Sequence, residues 1–266
     1  MVKLETVHMP KSAPLFQDLE ITMLWSCLEG FMGNAWADNI ENPRCARIIT
    51  ADFCCFAGDS SSSEAVLFVK DIPSIFPKNS ILMVPENDAW GTLIEQVWEG
   101  RYEKFSRYEL KKEKGIFDLI QLKSFVEKLK AGYTLAAVDE RLFYLTRQED
   151  WSSDLCSQFP TYEDFHKRGL GFVVLHEERP ISGASSYTIY SEGIEIEIDT
   201  KPEYRRQGFA TVCAAALILE CISRGLYPSW DAANRESLAL AEKLGYHFDR
   251  EYTAYQVEIR DSSVTK

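Results

Sequence analysis

The sequence predicts a mixed α/β fold, in which helices pack on a sheet of mixed strand direction. Isoleucine and carboxylate residues alternate from Gly193 to Thr200, which is the period-two pattern of a β-strand. The segment from Phe209 to Cys221 is rich in Ala, Leu and Ile and lacks Pro and Gly, so it predicts a mostly buried helix. The 266 residues, 45% hydrophobic and 26% charged, are enough for one large domain or two small ones.

Residues 1–130 predict a smaller N-terminal α/β domain. Apolar residues share one face of a first helix, Leu15–Cys27, and residues 88–98 predict a second helix that ends before a glycine. Leu119–Lys130 is amphipathic and predicts a third helix, after which we expect a soft domain boundary. The strands predicted here are Ala46–Phe56, Glu64–Lys70, Ile81–Val84 and Arg101–Glu109.

Residues 131–266 predict a second domain. Two strands are expected to form a hairpin around Glu178–Pro180, and Asn234 is a good N-cap for a helix that ends at Gly245. Tyr252–Ile259 closes the domain as a strand. The other predicted elements are segments of extended or mixed character at Tyr133–Val138 and Leu142–Leu145, a strand at Tyr227–Asp231, and a helix around Tyr162–Lys167.

The short segment between the alternating strand and the buried helix predicts an anion-binding site. It contains Arg205, Arg206 and Gly208. The first N–H groups of a helix have no partner within the helix, and the helix dipole adds partial positive charge there. A glycine without a Cβ lets a phosphate approach the backbone, and the arginines can add charge-assisted contacts. The alternative is a solvated turn with two surface arginines.

Composition limits the classes of partner. A net charge of −12 argues against binding nucleic acid through a general basic surface. The negative field favours the approach of a small cationic amine, unless the charge serves only solubility. The amino terminus lacks a basic start followed by an apolar run, so we expect a cytoplasmic protein without a membrane segment. The seven cysteines form no Cys-x-x-Cys pair, so neither a disulfide framework nor a metal site is predicted.

The pattern Arg-x-x-Gly-x-Ala, at Arg205, Gly208 and Ala210, resembles the acyl-CoA pyrophosphate loop of the GNAT N-acetyltransferase superfamily. A strand, an Asn and a Gly-aromatic pair should follow such a loop, and Leu226–Asp231, Asn234 and Gly245-Tyr246 fit that order. Within the superfamily, the chain is most similar to the group around the zwittermicin A resistance acetyltransferase. The segments that carry this likeness are Glu29-Gly30, Asp52-Phe53, Phe56–Gly58, Ser185–Tyr187, Gly193–Ile196, Tyr204-Arg205, Tyr227–Asp231 and Leu240–Tyr246.

The resemblance implies a GNAT-like acyltransferase domain over residues 131–266, preceded by a smaller α/β domain. The smaller domain could be a degenerate GNAT-like unit, although no internal sequence repeat supports this. The resemblance further implies acetyl-CoA as co-substrate and a small cationic amine, such as an aminopolyol antibiotic, as acceptor. The residues that it assigns to the cofactor are Ile198 and Thr200 at the pantetheine arm, Arg205, Arg206, Gln207, Gly208, Phe209, Ala210 and Thr211 in the loop, and Asn234 and Ser237.

Carboxylates on the alternating strand are the candidates for the general base. Glu195, Glu197 and Asp199 occupy alternate positions and are predicted to share one face of the strand. Mutual repulsion would raise their pKa values, so that one could take a proton from an ammonium, through water. Glu195 and Glu197 are preferred because bases of the superfamily often lie well before the loop. The alternatives are a row that only binds a cationic substrate and a solvated strand face.

The chain departs from the superfamily at Ala241, where many members carry a tyrosine that protonates the leaving thiolate. Tyr246 and Tyr187 are possible substitutes, although packing roles are expected for both. The departure leaves open a catalytically silent acyl-CoA-binding regulatory module, O-acylation and transfer of a longer acyl group. The sequence does not determine the oligomeric state, and a homodimer remains open.

Overall fold

The computed structural model describes residues 1–74 and 76–260, which contain both helices and strands. The last residues of the predicted second domain, 261–266, lie outside the described part. The strands are β1 (Val2–Lys3), β2 (Asn34–Ala37), β3 (Cys45–Thr50), β4 (Phe53–Gly58), β5 (Ser80–Pro85), β6 (Tyr102–Leu110), β7 (Tyr133–Ala137), β8 (Gly171–His176), β9 (Arg179–Tyr190), β10 (Gly193–Thr200), β11 (Tyr227–Ser229), β12 (Asp231–Ala232) and β13 (Phe248–Glu258). The helices are α1 (Thr22–Leu28), α2 (Ala65–Lys70), α3 (Asp88–Val97), α4 (Leu119–Glu127), α5 (Glu140–Thr146), α6 (Tyr162–Arg168), α7 (Phe209–Ser223) and α8 (Arg235–Lys243).

The chain forms two units, Met1–Arg107 with the segment from Glu251, and Tyr108–Arg250. This division differs from the boundary predicted near residue 130. The difference arises because α4 packs against α7, whereas the end of β13 pairs with β5.

In the first unit, the strands follow the order β1-β2-β3-β4-β5-β13-β6. β3 and β4 form an antiparallel hairpin, and β4 runs parallel to β5, with α2 in the connection. In the core of this unit, Phe56 and Trp90 stack with their ring centroids 5.6 Å apart. The predicted strand Glu64–Lys70 is wrong, since these residues form α2. A connection between parallel strands must cross from one end of the sheet to the other, and a helix is its usual form.

In the second unit, five strands follow the order β11-β10-β9-β8-β7, and β12 pairs with the end of β6. β9 and β10 are antiparallel, and β10 runs parallel to β11, with α7 in the connection. The predictions for Gly193–Thr200, the buried helix and the Asn234-capped helix are confirmed. Leu142–Leu145, predicted to have extended or mixed character, is helical, because these residues lie in α5, which Asp139 caps.

Both units therefore contain the same order of elements, an antiparallel hairpin followed by a parallel strand–helix–strand connection. α7 is almost uniformly apolar, and ten of its fifteen residues are buried, which explains why its sequence lacks a polar face. Among the residues that the structure describes, no helix has the length and apolar character needed to cross a membrane.

Candidate active site

The N-terminus of α7 is the one start of a described α-helix in the second unit that no side chain caps. Gly208 is its N-cap residue, with φ +91°, and no side chain accepts a hydrogen bond from its first turn. The N–H groups of Phe209, Ala210 and Thr211 therefore have neither an intrahelical partner nor a side-chain cap. By contrast, side-chain oxygens cap the other helices of this unit, α4, α5, α6 and α8, through Asp118, Asp139, Thr161 and Asn234.

The two predicted arginines have different surroundings. Arg205 donates from Nε to the carbonyl oxygen of Thr200 over 2.9 Å, and its Nη2 lies 3.3 Å from Oδ1 of Asp199. Arg205 thus fastens the loop to the end of β10. Arg206 has φ +60°, and its exposed guanidinium lies 3.2 Å from Glu236 in the first turn of α8. Neither solvated pair contributes much stability by itself.

A cavity of about 300 Å³ opens at this helix terminus. Gln207, Gly208, Phe209 and Thr211 line it, which brings four of the predicted loop residues to one place. A Cβ built on Gly208 would meet no atom within 4 Å, so the backbone is open to a ligand there. The remaining lining residues, which sequence reasoning missed, are Phe125, Lys128, Leu129, Lys130, Val212 and Lys243. The amphipathic pattern of α4 did not show which part of the fold the helix covers.

Beside the loop, β10 and β11 separate. Their parallel pairing covers only Gly193–Glu195, and Asp231 then pairs with Glu109 on β6. Among the described strands, none pairs with this edge of β10 from Ile196 to Thr200. Ile198 and Thr200, the residues predicted to meet a pantetheine arm, lie in this stretch. The separated strands provide a slot that an extended ligand can fill with backbone hydrogen bonds.

Glu195 lies where the two strands separate. Its side chain is buried, and Oε1 accepts a hydrogen bond of 2.6 Å from the backbone N–H of Asp231. The alternative of a wholly solvated strand face is therefore wrong for Glu195. Glu197 and Asp199, nearer the loop, are half-buried. A register shift between Glu195 and Ile196 in the pairing with β9 marks a bulge at this point.

Tyrosines surround the Glu195 carboxylate. Burial first, and then the negative charge of Glu195, raise the pKa of Tyr190, whose hydroxyl lies 2.8 Å from that of Ser229. Burial raises the pKa of Tyr227 as well, with smaller contributions from Glu113 and Glu195. These phenols keep their protons at neutral pH, so Glu195 is the ionisable acceptor among them.

The residues considered as substitutes for the missing tyrosine are packed in the interior. Tyr246 is buried, and its hydroxyl donates to the carbonyl oxygen of Pro228 over 2.5 Å. Burial raises its pKa well above the ordinary value, so it is a poor proton donor to a thiolate. Tyr187 is buried. Ala241 is fully buried, so a tyrosine there would overpack the interior.

Asn234 and Ser237 hold the start of α8. The Asn234 side chain accepts the N–H of Ser237 over 2.9 Å, and the Ser237 hydroxyl accepts the indole N–H of Trp230 over 3.0 Å. The capping role predicted for Asn234 is therefore confirmed. Within residues 1–74 and 76–260, no group of three His, Cys, Asp or Glu side chains could hold a metal ion.

Comparisons with known proteins agree with this geometry. Residues 13–255 match the model of the GNAT acetyltransferase family. The chain is 27% identical over 243 residues to the uncharacterized N-acetyltransferase YdfB of Bacillus subtilis (strain 168), covering 88% of this chain and 89% of that protein. A crystal structure of a GCN5-related N-acetyltransferase-like protein from Streptococcus suis 89/1591 is 41% identical, with a TM-score of 0.86, and the match covers 94% of this chain and 98% of that one.

A more distant likeness concerns the fold alone. A tandem GNAT protein from the clavulanic acid biosynthesis pathway is 10% identical, with a TM-score of 0.53, over 98% of this chain and 99% of that one. The family match extends across both units, not only over residues 131–266. The open terminus of α7, the separated strands and these matches together show that the chain belongs to the GNAT acetyltransferase family and is an N-acetyltransferase.

Proposed function

We propose that the enzyme transfers the acetyl group of acetyl-CoA to the amine of a small cationic acceptor. The observation that carries this proposal is the uncapped N-terminus of α7 beside the unpaired edge of β10, which leads to the buried Glu195. A diphosphate satisfies the first N–H groups of α7, and an extended amide chain satisfies the backbone of Ile198 and Thr200. The thioester then lies at the separation of the strands.

Asn234, Ser237 and Arg205 support this arrangement through the backbone. Asn234 and Ser237 fix the first turn of α8, and Arg205 ties the loop to Thr200. Arg206, whose guanidinium is exposed, approaches the phosphates from solvent. In this proposal the loop binds the cofactor mainly through its backbone N–H groups and the residues that line the cavity, while Arg205 maintains the shape of the loop.

The chemistry requires removal of one proton from the ammonium before attack. Glu195 or Glu197 accepts that proton through water, and the amine nitrogen then bonds to the thioester carbonyl carbon. When the C–S bond breaks, the electron pair leaves with sulfur, and the nitrogen releases its second proton to solvent, which leaves a neutral amide. A thiol has an ordinary pKa of about 8.5, so a thiolate is a tolerable leaving group near neutral pH and solvent can protonate it. The absence of a tyrosine at Ala241 is compatible with this course.

The acceptor is proposed from charge. The net charge of −12 and the carboxylates of β10 favour a cation over an anion in the slot. The likeness to the zwittermicin A resistance group makes aminopolyols with primary amines the first compounds to test, together with a role in antibiotic resistance. This part of the proposal rests on analogy and on the sign of the charge.

A thiol-release screen with acetyl-CoA over a panel of amines tests the proposal. Glu195→Gln keeps an oxygen that can accept the Asp231 N–H but removes the charge, and Glu197→Gln removes the second candidate. We expect the variant of the true base to lower kcat about 100-fold at neutral pH, the usual scale for a positioned general base. The loss should shrink as pH rises, because the amine then deprotonates unaided. Glu242→Gln, on the exposed side of α8, is the matched control.

The same screen can contradict the proposal. If neither Gln variant slows transfer, or if the loss stays constant with pH, the β10 carboxylates are not the base. If acetyl-CoA binds but no amine on the panel releases thiol, the acceptor class is wrong, and the silent binding module gains support. If acetyl-CoA does not bind, the assignment of the α7 terminus fails.

A further inference from the structure

Three lysines share the cavity at the N-terminus of α7. Lys128 and Lys130 lie in the turn that follows α4, and Lys243 is the last residue of α8. The Nζ of Lys243 donates to the Thr211 hydroxyl, in the first turn of α7, over 3.2 Å. Elements on two sides of α7 thus bring positive charge to one opening.

Aromatic rings lie beside the three ammonium groups. The Nζ atoms of Lys128 and Lys243 lie 5.4 Å and 5.2 Å from the centroid of the same ring, Phe125. The Nζ of Lys130 lies 5.7 Å from the ring centroid of Phe209, the first residue of α7. Such contacts are favourable for a cation, but they do not neutralise it.

Among the described residues, no carboxylate forms an ion pair with these lysines. Across the described residues, none of the three lysines has an Asp or Glu within ion-pairing distance, whereas Lys201 and Lys104 pair with glutamates at 2.8 Å and 2.9 Å. The lack of partners is notable in a chain with 41 acidic and 29 basic residues. Like charges at one opening repel each other unless an anion lies between them. The cluster therefore fits a ligand with more than one negative charge.

We propose that these lysines form a second phosphate site, which binds the 3′-phosphomonoester of the cofactor beside its diphosphate. The inference rests on the proposed use of acetyl-CoA. Lys243, at Thr211, assists the diphosphate at the α7 terminus. Lys128 and Lys130 together supply two charges for the phosphomonoester, which is close to dianionic at neutral pH. The site is built by α4, so the helix that precedes β7 selects the cofactor rather than only covering α7.

Three donors that differ in their phosphates test the site: acetyl-CoA, acetyl-dephospho-CoA, which lacks the 3′-phosphate, and S-acetyl-pantetheine, which lacks both phosphate groups. We expect the parent enzyme to bind acetyl-CoA at least tenfold more tightly than acetyl-dephospho-CoA by calorimetry. The Lys128→Ala/Lys130→Ala variant should bind acetyl-CoA about tenfold more weakly and acetyl-dephospho-CoA unchanged. Lys243→Ala should weaken both nucleotide donors and leave S-acetyl-pantetheine unchanged. Lys123→Ala, an exposed lysine of α4 outside the cavity, is the control.

Each outcome decides the inference. If the double variant keeps the parent's preference for acetyl-CoA, or if the parent binds acetyl-CoA and acetyl-dephospho-CoA equally, the lysine site is wrong while the proposed function stands. If the double variant weakens both nucleotide donors equally, the lysines act on the diphosphate instead. If the parent binds neither donor, the proposed function fails, and the lysine site fails with it.

Discussion

At the residue scale, Gly208 explains why the loop can serve as an anion site. Its φ of +91° lies in the region that glycine adopts without a steric penalty, and the space where a Cβ would stand is open. The sequence predicted this position because glycine lacks a Cβ, and it predicted Asn234 because asparagine is a favoured N-cap. The sequence did not predict that the Arg205 side chain would donate to the carbonyl oxygen of Thr200, since the direction of a long side chain depends on its tertiary surroundings.

Gly225 provides a matched comparison for Gly208. It follows the other end of α7 with φ +72°, and it too has no atom within 4 Å of an added Cβ. We expect Gly208→Ala and Gly225→Ala to lose similar stability, about 1–2 kcal/mol for a left-handed alanine. Only Gly208→Ala should weaken acetyl-CoA binding, by tenfold or more, because its Cβ projects toward the phosphates. Calorimetry and thermal unfolding measure both effects, and equal binding by the two variants would remove Gly208 from the site.

At the scale of elements, the two units show how one order of strands and helices leads to different loops. In the first unit, the loop after β4 contains Asp59, whose Oδ1 accepts the Ser61 N–H over 3.0 Å and the Ser61 hydroxyl over 2.6 Å. A Cβ on Gly58 would lie 2.1 Å from the Arg44 carbonyl oxygen. This loop therefore supplies its own carboxylate and is closed on one side, whereas the loop before α7 is open and uncapped.

The sequence predicted strongly patterned elements and missed those that depend on their neighbours. The alternation of β10 and the uniform apolarity of α7 each favour one structure. Residues 64–70 and 142–145 are short apolar runs, and such runs do not distinguish a strand from a helix. Lys128 and Lys130, which follow α4, were missed for another reason, because their role depends on the packing of α4 on α7.

The β8–β9 turn offers a test at this scale. Glu177 and Glu178 form a two-residue turn with φ +49° and +64°, a conformation that favours Asn-Gly. The Glu177→Asn/Glu178→Gly variant should raise the stability by about 1 kcal/mol, or Tm by roughly 2–4 °C. The lost pair of Glu178 with Arg141, 3.4 Å apart and exposed, contributes little, and Arg141→Ala checks this. A lower Tm in the turn variant would contradict the argument.

At the scale of the whole molecule, the cysteines are a distributed set of protonated thiols. All seven are free and buried. Burial raises the pKa to about 12 for Cys27, Cys45, Cys54, Cys213 and Cys221, and to about 11 for Cys156, from an ordinary value of 9.0. Each thiol ionises in the unfolded chain at a lower pH than in the folded protein.

Stability should therefore fall in alkali. Below pH 9 the contribution of these thiols is fully present. Above pH 9 the unfolded state binds fewer protons than the folded state. Each of these thiols then lowers the free energy of unfolding by about 1.4 kcal/mol per pH unit, until its folded pKa is reached. We expect Tm to drop steeply between pH 9 and pH 10, before most tyrosines titrate. The Cys54→Ala/Cys213→Ala variant should show a shallower slope, and a constant Tm across this range would contradict the assignment.

The burial of the thiols also determines how turnover can be counted. A chromogenic aromatic disulfide reagent reacts quickly with exposed thiolates, but it reacts with buried thiols only when the chain unfolds. The folded enzyme then adds almost no background, and nanomoles of liberated coenzyme stand out without a subtraction. Adding denaturant at the end of the assay would expose seven thiols per chain. The increase in absorbance then measures the concentration of folded enzyme in the same sample.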